Sequence, residues 1–220
     1  MGDGENLELE KASSLSEQAY QYVRSLILTG ELQPGAVFTE RKLAAQLEFS
    51  RTPFRTAITR LIGEGLAERL SNGTLVIREV PLDELLQIMV IRRQLESEAA
   101  AQTALRADTA ELSALIDETR EIMSTPQTEL ETFWAYDDRF HNFVANASCM
   151  PLLAKMIREN RDRVRMCNVA RMERNFSDQA KEHLTVLEAI SDRDADRARA
   201  AMAEHAHRVR ERFLRWYTGM

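Results

Sequence analysis

Apolar residues recur at helical spacing along almost the whole chain, and one short stretch near residue 70 breaks that rhythm. Tyr20, Val23, Leu26 and Ile27 give a first amphipathic helix, which Gly30 and the Pro34-Gly35 pair close off. Leu43, Ala44 and Leu47 form the apolar side of a second helix with Thr39 at its N-cap. A short Glu48-Phe49 connection leads to a third, starting near Arg51. Pro53 fits that helix because it falls in the first turn, and Ser50 or Thr52 can cap it. Phe54, Ile58, Leu61 and Ile62 bury one face, leaving Thr52, Arg55, Thr56 and Thr59 on the other, and Gly65 ends the helix. Two segments, 67–70 and 75–78, then flank Ser71-Asn72-Gly73-Thr74, a tight-hairpin signal because Asn72 and Gly73 both tolerate positive φ. Helix, turn, helix and hairpin in this order predict a winged helix-turn-helix of three helices and a two-stranded wing.

Beyond Glu79-Val80-Pro81 no strand-like alternation returns. The spacing predicts helices at about 82–105, 110–123, 129–147, 151–171, 177–190 and 194–217, with breaks at Ser124-Thr125-Pro126, Ser148-Cys149 and Ser191-Asp192. The expected class is therefore mainly α: a mobile acidic tail over 1–12, a winged helix over 13–79, and an all-helical antiparallel bundle of six to seven helices over 80–220.

Charge sharpens the first module. The whole chain carries a net −6, which by itself would not suggest nucleic acid. Within residues 40–78, seven basic side chains face four acidic ones, a local 7 − 4 = +3. Arg51 and Arg55 lie four apart at the open end of the third helix, where a helix entering the major groove presents guanidinium forks to guanine O6 and N7. Cys149 and Cys167 lack C-x-x-C spacing and read as free thiols. No apolar run approaches membrane-spanning length and the N-terminus lacks a signal peptide's pattern, so a cytoplasmic protein is expected.

All four histidines fall in the helical module, and three interrupt apolar faces. Trp134, Asp137, His141 and Val144 form one stripe; His183 lies in line with Ala180, Leu184 and Leu187; His205 lies in line with Ala198, Ala201, Met202 and Val209. Three helices thus aim one carboxylate and three imidazoles inward, a costly burial that a divalent cation would offset. His207 falls on another face and reads as solvated, while Asp138 sits three from His141 and is a less aligned substitute for Asp137. Zn²⁺, Ni²⁺ and Mn²⁺ all suit such a donor set. Two other readings stay open: histidines that are hydrogen-bonded core residues in a dimerisation bundle, and a metal-dependent hydrolase, which lacks support from HExxH or a nucleophile motif.

The segment TGELQPGAVFTERKLAAQLEFSRTPFRTAITRLIGEGL and the wing glycine resemble the GntR superfamily of bacterial transcription regulators. The resemblance implies DNA contact by Arg41, Arg51, Thr52, Arg55 and Gly73, with departures at Phe54, where Val is common, and Thr56, where Glu is common. DDRFH, EHLTVLEAI and MAEHAHRV resemble the metal-binding signatures of its FadR-type subgroup, which carries an FCD ligand-binding domain. That implies Asp137, His141, His183 and His205 as ligands, and IRRQLESEAA, with Arg92 and Glu96 in R-x-x-L-E, as the start of that domain. The family further implies a homodimer that binds a small organic acid beside the metal, with Arg92 a candidate partner for the acid's charge. The expectation is a ligand-responsive transcription regulator, a repressor rather than an enzyme, acting on a short inverted-repeat operator in double-stranded DNA.

Overall fold

The computed structural model describes residues 14–125, 128–167 and 176–219, and among these the chain forms nine helices and a three-stranded sheet. The expected acidic tail over 1–12 lies outside the described residues. Two compact units emerge among the described residues, one of residues up to Val80 together with Arg165–Cys167, the other of Pro81–Val164 and the residues from Phe176 onward.

The first unit runs α1 (Leu15–Thr29), β1 (Val37–Phe38), α2 (Glu40–Gln46), α3 (Arg51–Gly63), β2 (Ala67–Arg69) and β3 (Leu75–Ile77). Ser14 caps α1 by accepting from Glu17 N, and Gly30 closes it at φ 81°, a left-handed conformation that costs glycine nothing. Tyr20, Val23 and Ile27 pack with Leu43 and Ala44 of α2 and with Phe54, Ala57, Ile58 and Leu61 of α3. Phe54 is fully buried, so the departure from valine there fills core. Leu28 rather than Leu26 completes the buried stripe of α1.

The wing differs from expectation in two ways. It has a third strand, because β1 pairs antiparallel with β3 (Val37↔Val76, Phe38↔Leu75) on the side opposite β2, giving the order β1-β3-β2. Two residues are too few to show alternation in a sequence; Gly35 N donating to Ile77 O at 2.9 Å is what docks them. The hairpin turn also departs from the two-residue form. Gly73 N donates to Leu70 O at 2.9 Å and Leu70 N to Thr74 O at 2.8 Å, and of Asn72 and Gly73 only Gly73 has positive φ, at 82°. This is a three-residue loop with a left-handed glycine, and Asn72 instead uses Oδ1 to accept from Thr74 N at 2.9 Å.

The second unit holds α4 (Leu82–Ala104), α5 (Thr109–Ser124), α6 (Leu130–Ala147), α7 (Pro151–Met166) up to Val164, α8 (Phe176–Ser191) and α9 (Ala195–Thr218). The expected end of α7 at Arg171 lies outside the described residues. Asp108 caps α5 by accepting from Ala110 N, and Asp194 caps α9 by accepting from Arg197 N. The last turns of α4 carry Ala99, Ala100, Ala101 and Ala104, all buried, and these small side chains let α9, α6 and α8 approach it closely. Thr103 Oγ1 donates to Val144 O at 2.7 Å and ties α4 to α6. Tyr136, Phe140, Val144, Leu187, Ile190 and Met202 fill the centre, so α6, α8 and α9 present one face each to a common interior. No described helix is long and apolar enough to cross a membrane.

Candidate metal centre and nucleic-acid face

His141 of α6, His183 of α8 and His205 of α9 meet in that interior, each offering a ring nitrogen within 4.8 Å of the others. All three are at most 2 % exposed. Each ring has a nearby acceptor at Nδ1. His205 Nδ1 lies 2.8 Å from Glu182 Oε2, and a carboxylate can only accept, so Nδ1 carries the proton. His183 Nδ1 lies 3.0 Å from the Tyr136 hydroxyl. That hydroxyl donates to Thr119 Oγ1 at 3.0 Å, and Thr119 in turn donates to the Leu115 carbonyl at 2.7 Å. Since the chain of donors ends on a carbonyl, the proton at the His183 end belongs on Nδ1. His141 Nδ1 lies 2.8 Å from Glu96 Oε2. At His183 the ε nitrogen is thus left as a lone pair, a buried atom without a hydrogen-bond partner. Imidazoles oriented through Nδ1 with Nε2 open are what divalent-metal ligation requires, so the donor set fits such an ion.

Electrostatics keep the His141 and His183 rings neutral. Burial, reinforced by the Arg161 charge and opposed by Glu96 and Asp137, lowers His141 to about 4. Burial, then the neighbouring His205, holds His183 well below the ordinary histidine value. The carboxylates behave in the opposite way. Burial alone would raise Glu96, yet Arg92 and then His141 hold it well below the usual range, and hydrogen bonds from His205 and Arg212 overcome burial to bring Glu182 to about 2.

Asp137 stands beside the imidazole group. Its Oδ1 lies 3.7 Å from both His141 Nε2 and His183 Nε2, while Oδ2 accepts from Arg161 Nη2 at 2.7 Å. The same Arg161 nitrogen reaches Asp138 Oδ1 at 3.0 Å. Burial opposes ionisation of Asp137, but the Arg161 charge dominates and keeps it a carboxylate. Arg92 is buried and directs Nε to Glu96 Oε1 at 2.6 Å. His207 is exposed and lies 3.5 Å from Glu211.

Sequence reasoning missed Arg161, Glu182, Tyr136 and Thr119. Glu182 and Tyr136 immediately precede His183 and Asp137, and adjacent residues on one helix point about 100° apart, so no single-face stripe could include them. Glu182 instead serves His205 on α9, and Tyr136 serves His183 on α8. Arg161 comes from α7, a helix with no histidine to draw attention to it.

On the first unit, Arg41 of α2 and Arg51 and Arg55 of α3 line one hollow of about 370 Å³ together with Thr39, Glu40 and Ala44. All three arginines are exposed and, among the described residues, form no ion pair. Neighbouring arginines are occupied: Arg60 pairs with Glu17 at 2.8 Å and Glu64 at 3.0 Å while covering the Tyr20 ring, and Arg69 pairs with Glu40 at 2.9 Å. Ser50 sits at the N-cap of α3 but its side chain accepts nothing, so the predicted cap bond is absent and the helix's first N–H groups stay open. Thr52 and Thr56 are exposed, with Thr56 Oγ1 donating to Thr52 O at 3.3 Å. Gly73, at the wing tip, is exposed, with open space around its Cα.

A winged helix with exposed arginines on α2 and α3, followed by a helical bundle with a polar centre, has the build of a DNA-binding transcription regulator. The family model of gntR-family bacterial regulatory proteins matches residues 15–77 and that of the FCD domain matches residues 87–208, and the chain belongs to the GntR family of regulators that carry an FCD domain. It is 28% identical to the Nta operon transcriptional regulator of Aminobacter aminovorans over 183 residues, spanning 83% of this chain and 86% of that protein. It is 21% identical to the HTH-type transcriptional repressor RspR of Escherichia coli over 208 residues, 93% of this chain and 91% of the other. In fold it is similar to Escherichia coli McbR/YncC, with a TM-score of 0.79 at 22% identity, covering 93% of this chain and 99% of that one.

Proposed function

We propose that the protein is a homodimeric repressor whose hold on a short inverted-repeat operator responds to a small carboxylate bound at a metal in the helical unit. The observation that carries this reading is the set of three buried imidazoles from three helices, each offering a ring nitrogen within 4.8 Å of the others, with His183 Nε2 buried and without a hydrogen-bond partner. His141, His183 and His205 would hold a divalent ion, with Asp137 offering Oδ1 as a fourth donor. Such an ion supplies a coordination point for an acid's oxygen. The chain's own residues do the rest. Glu96, Tyr136 and Glu182 fix the ring orientations, and the burial that keeps His141 and His183 neutral keeps these two ready to ligate without losing a proton. Arg92, whose Nε is engaged by Glu96 Oε1, would be the partner for the acid's carboxylate on the α4 side.

Output lies in Arg41, Arg51 and Arg55 with Thr52 beside them, α3 entering the major groove and the Gly73 wing tip reaching the flanking backbone. Two copies related by a twofold axis would read two half-sites. Effector binding can alter DNA affinity only if the acid prefers one of the two conformations, and the Pro81 junction is where that preference would be transmitted. That a relative of similar length is named a repressor supports the sign of regulation.

Metal analysis of the purified full chain and its His183→Ala variant tests the input. Stoichiometric metal in the wild type and its loss from the variant are expected; equal contents would remove the site. Fluorescence anisotropy on a duplex selected from random sequences, with and without small carboxylates, tests the link to DNA. No change in operator affinity with any acid would sink the effector.

A further inference from the structure

Glu40 is the only acid among the residues that line the arginine hollow, and it lies next in sequence to Arg41. Its presence has a local cause. Glu40 opens α2, a helix of seven residues, and an acid in the first turn stabilises so short a helix through its dipole, alongside the Thr39 cap that accepts from Lys42 N at 3.3 Å. The same charge is a liability on a face that must meet phosphates. A carboxylate there repels the DNA backbone, and a nearby guanidinium is its natural partner. Yet among the described residues Arg41, Arg51 and Arg55 form no ion pair, and Glu40 Oε2 instead lies 2.9 Å from Arg69 Nη2 at the end of β2.

We propose that Arg69 is a positioning residue of the DNA-binding face: from the wing strand it draws off and neutralises the Glu40 carboxylate, leaving Arg41, Arg51 and Arg55 free for nucleic acid. The inference rests on the DNA-contacting reading of that face. The pair is partly exposed, so it adds little to folding. Its effect is on where charge is presented, and neutralisation acts whether or not the hydrogen bond is made at every instant.

The double-mutant cycle of Arg69→Ala and Glu40→Gln in the full-length protein tests this, with affinity for a labelled random-sequence DNA duplex measured at low salt. R69A should weaken binding about five- to tenfold, E40Q alone should bind at least as tightly as the wild type, and E40Q/R69A should return to within about twofold of E40Q. Arg69→Gln should match R69A, and melting midpoints of all variants should stay within a few degrees of the wild type. If the double variant stays as weak as R69A, with a salt slope shallower by about 0.9, Arg69 itself grips a phosphate and the proposal fails. If E40Q alone is as weak as R69A, the pair acts only as a strut between wing and α2, which also overturns it. Arg55→Ala run alongside separates the underlying reading: equal binding by R55A and wild type would show that the face is misassigned, whatever the cycle returns.

Discussion

Removing the Tyr136 hydroxyl by Tyr136→Phe isolates the orienting role of the groups around the imidazoles. The ring is fully buried within the core of the second unit, and phenylalanine keeps its contacts with Phe133 and His183. Only the link from His183 Nδ1 to Thr119 is lost. The buried Nδ1–H is left without an acceptor, which costs about 1–3 kcal/mol. The alternative tautomer relieves that cost by moving the proton to Nε2, but this blocks the nitrogen that would face the proposed metal. Metal affinity is therefore expected to fall roughly 10- to 100-fold, the usual consequence of deleting an outer-shell partner of a ligating histidine. Competition titration of Zn²⁺, Ni²⁺ or Mn²⁺ against a chromophoric chelator measures this, and urea unfolding of the metal-free chain measures the stability arm. An unchanged metal affinity alongside the predicted loss of stability would show that the His183 tautomer has no bearing on binding, and the argument from the proton chain would be wrong.

Arg161→Met should destabilise the metal-free protein by roughly 3 kcal/mol, at the lower end for a broken buried pair because the Asp137 and Asp138 carboxylates keep some solvent; denaturant midpoints check it, and saturating metal should recover part of the loss. Gly73→Ala keeps open space around its new Cβ but places it at φ 82°, so about 1 kcal/mol of destabilisation with the fold intact is expected, read from thermal melting, and a larger loss would mean a contact unseen at the wing tip. Arg55→Ala should cost about 1–3 kcal/mol of specific binding on a selected operator without moving the melting midpoint, and undiminished affinity would exclude α3 as the reading helix.

What could be read from the chain alone was whatever repeats along it. The burial periods of α1, α3, α6, α8 and α9 are visible because one face meets one core, and the His141, His183 and His205 stripes are legible for the same reason. Local turn chemistry was partly legible: Asn72-Gly73 announced the hairpin, but the loop length and the single left-handed residue depend on strand register, which β3 sets through its pairing with β1 and β2. Tertiary structure alone decided which neighbours act across helices. Glu182 serves a histidine on α9, Tyr136 one on α8, Arg161 reaches from α7 to Asp137, and Arg69 takes the carboxylate of Glu40 from another element. Such pairings have no period in sequence, because they are fixed by how faces dock and by where a buried charge must find its counter-charge.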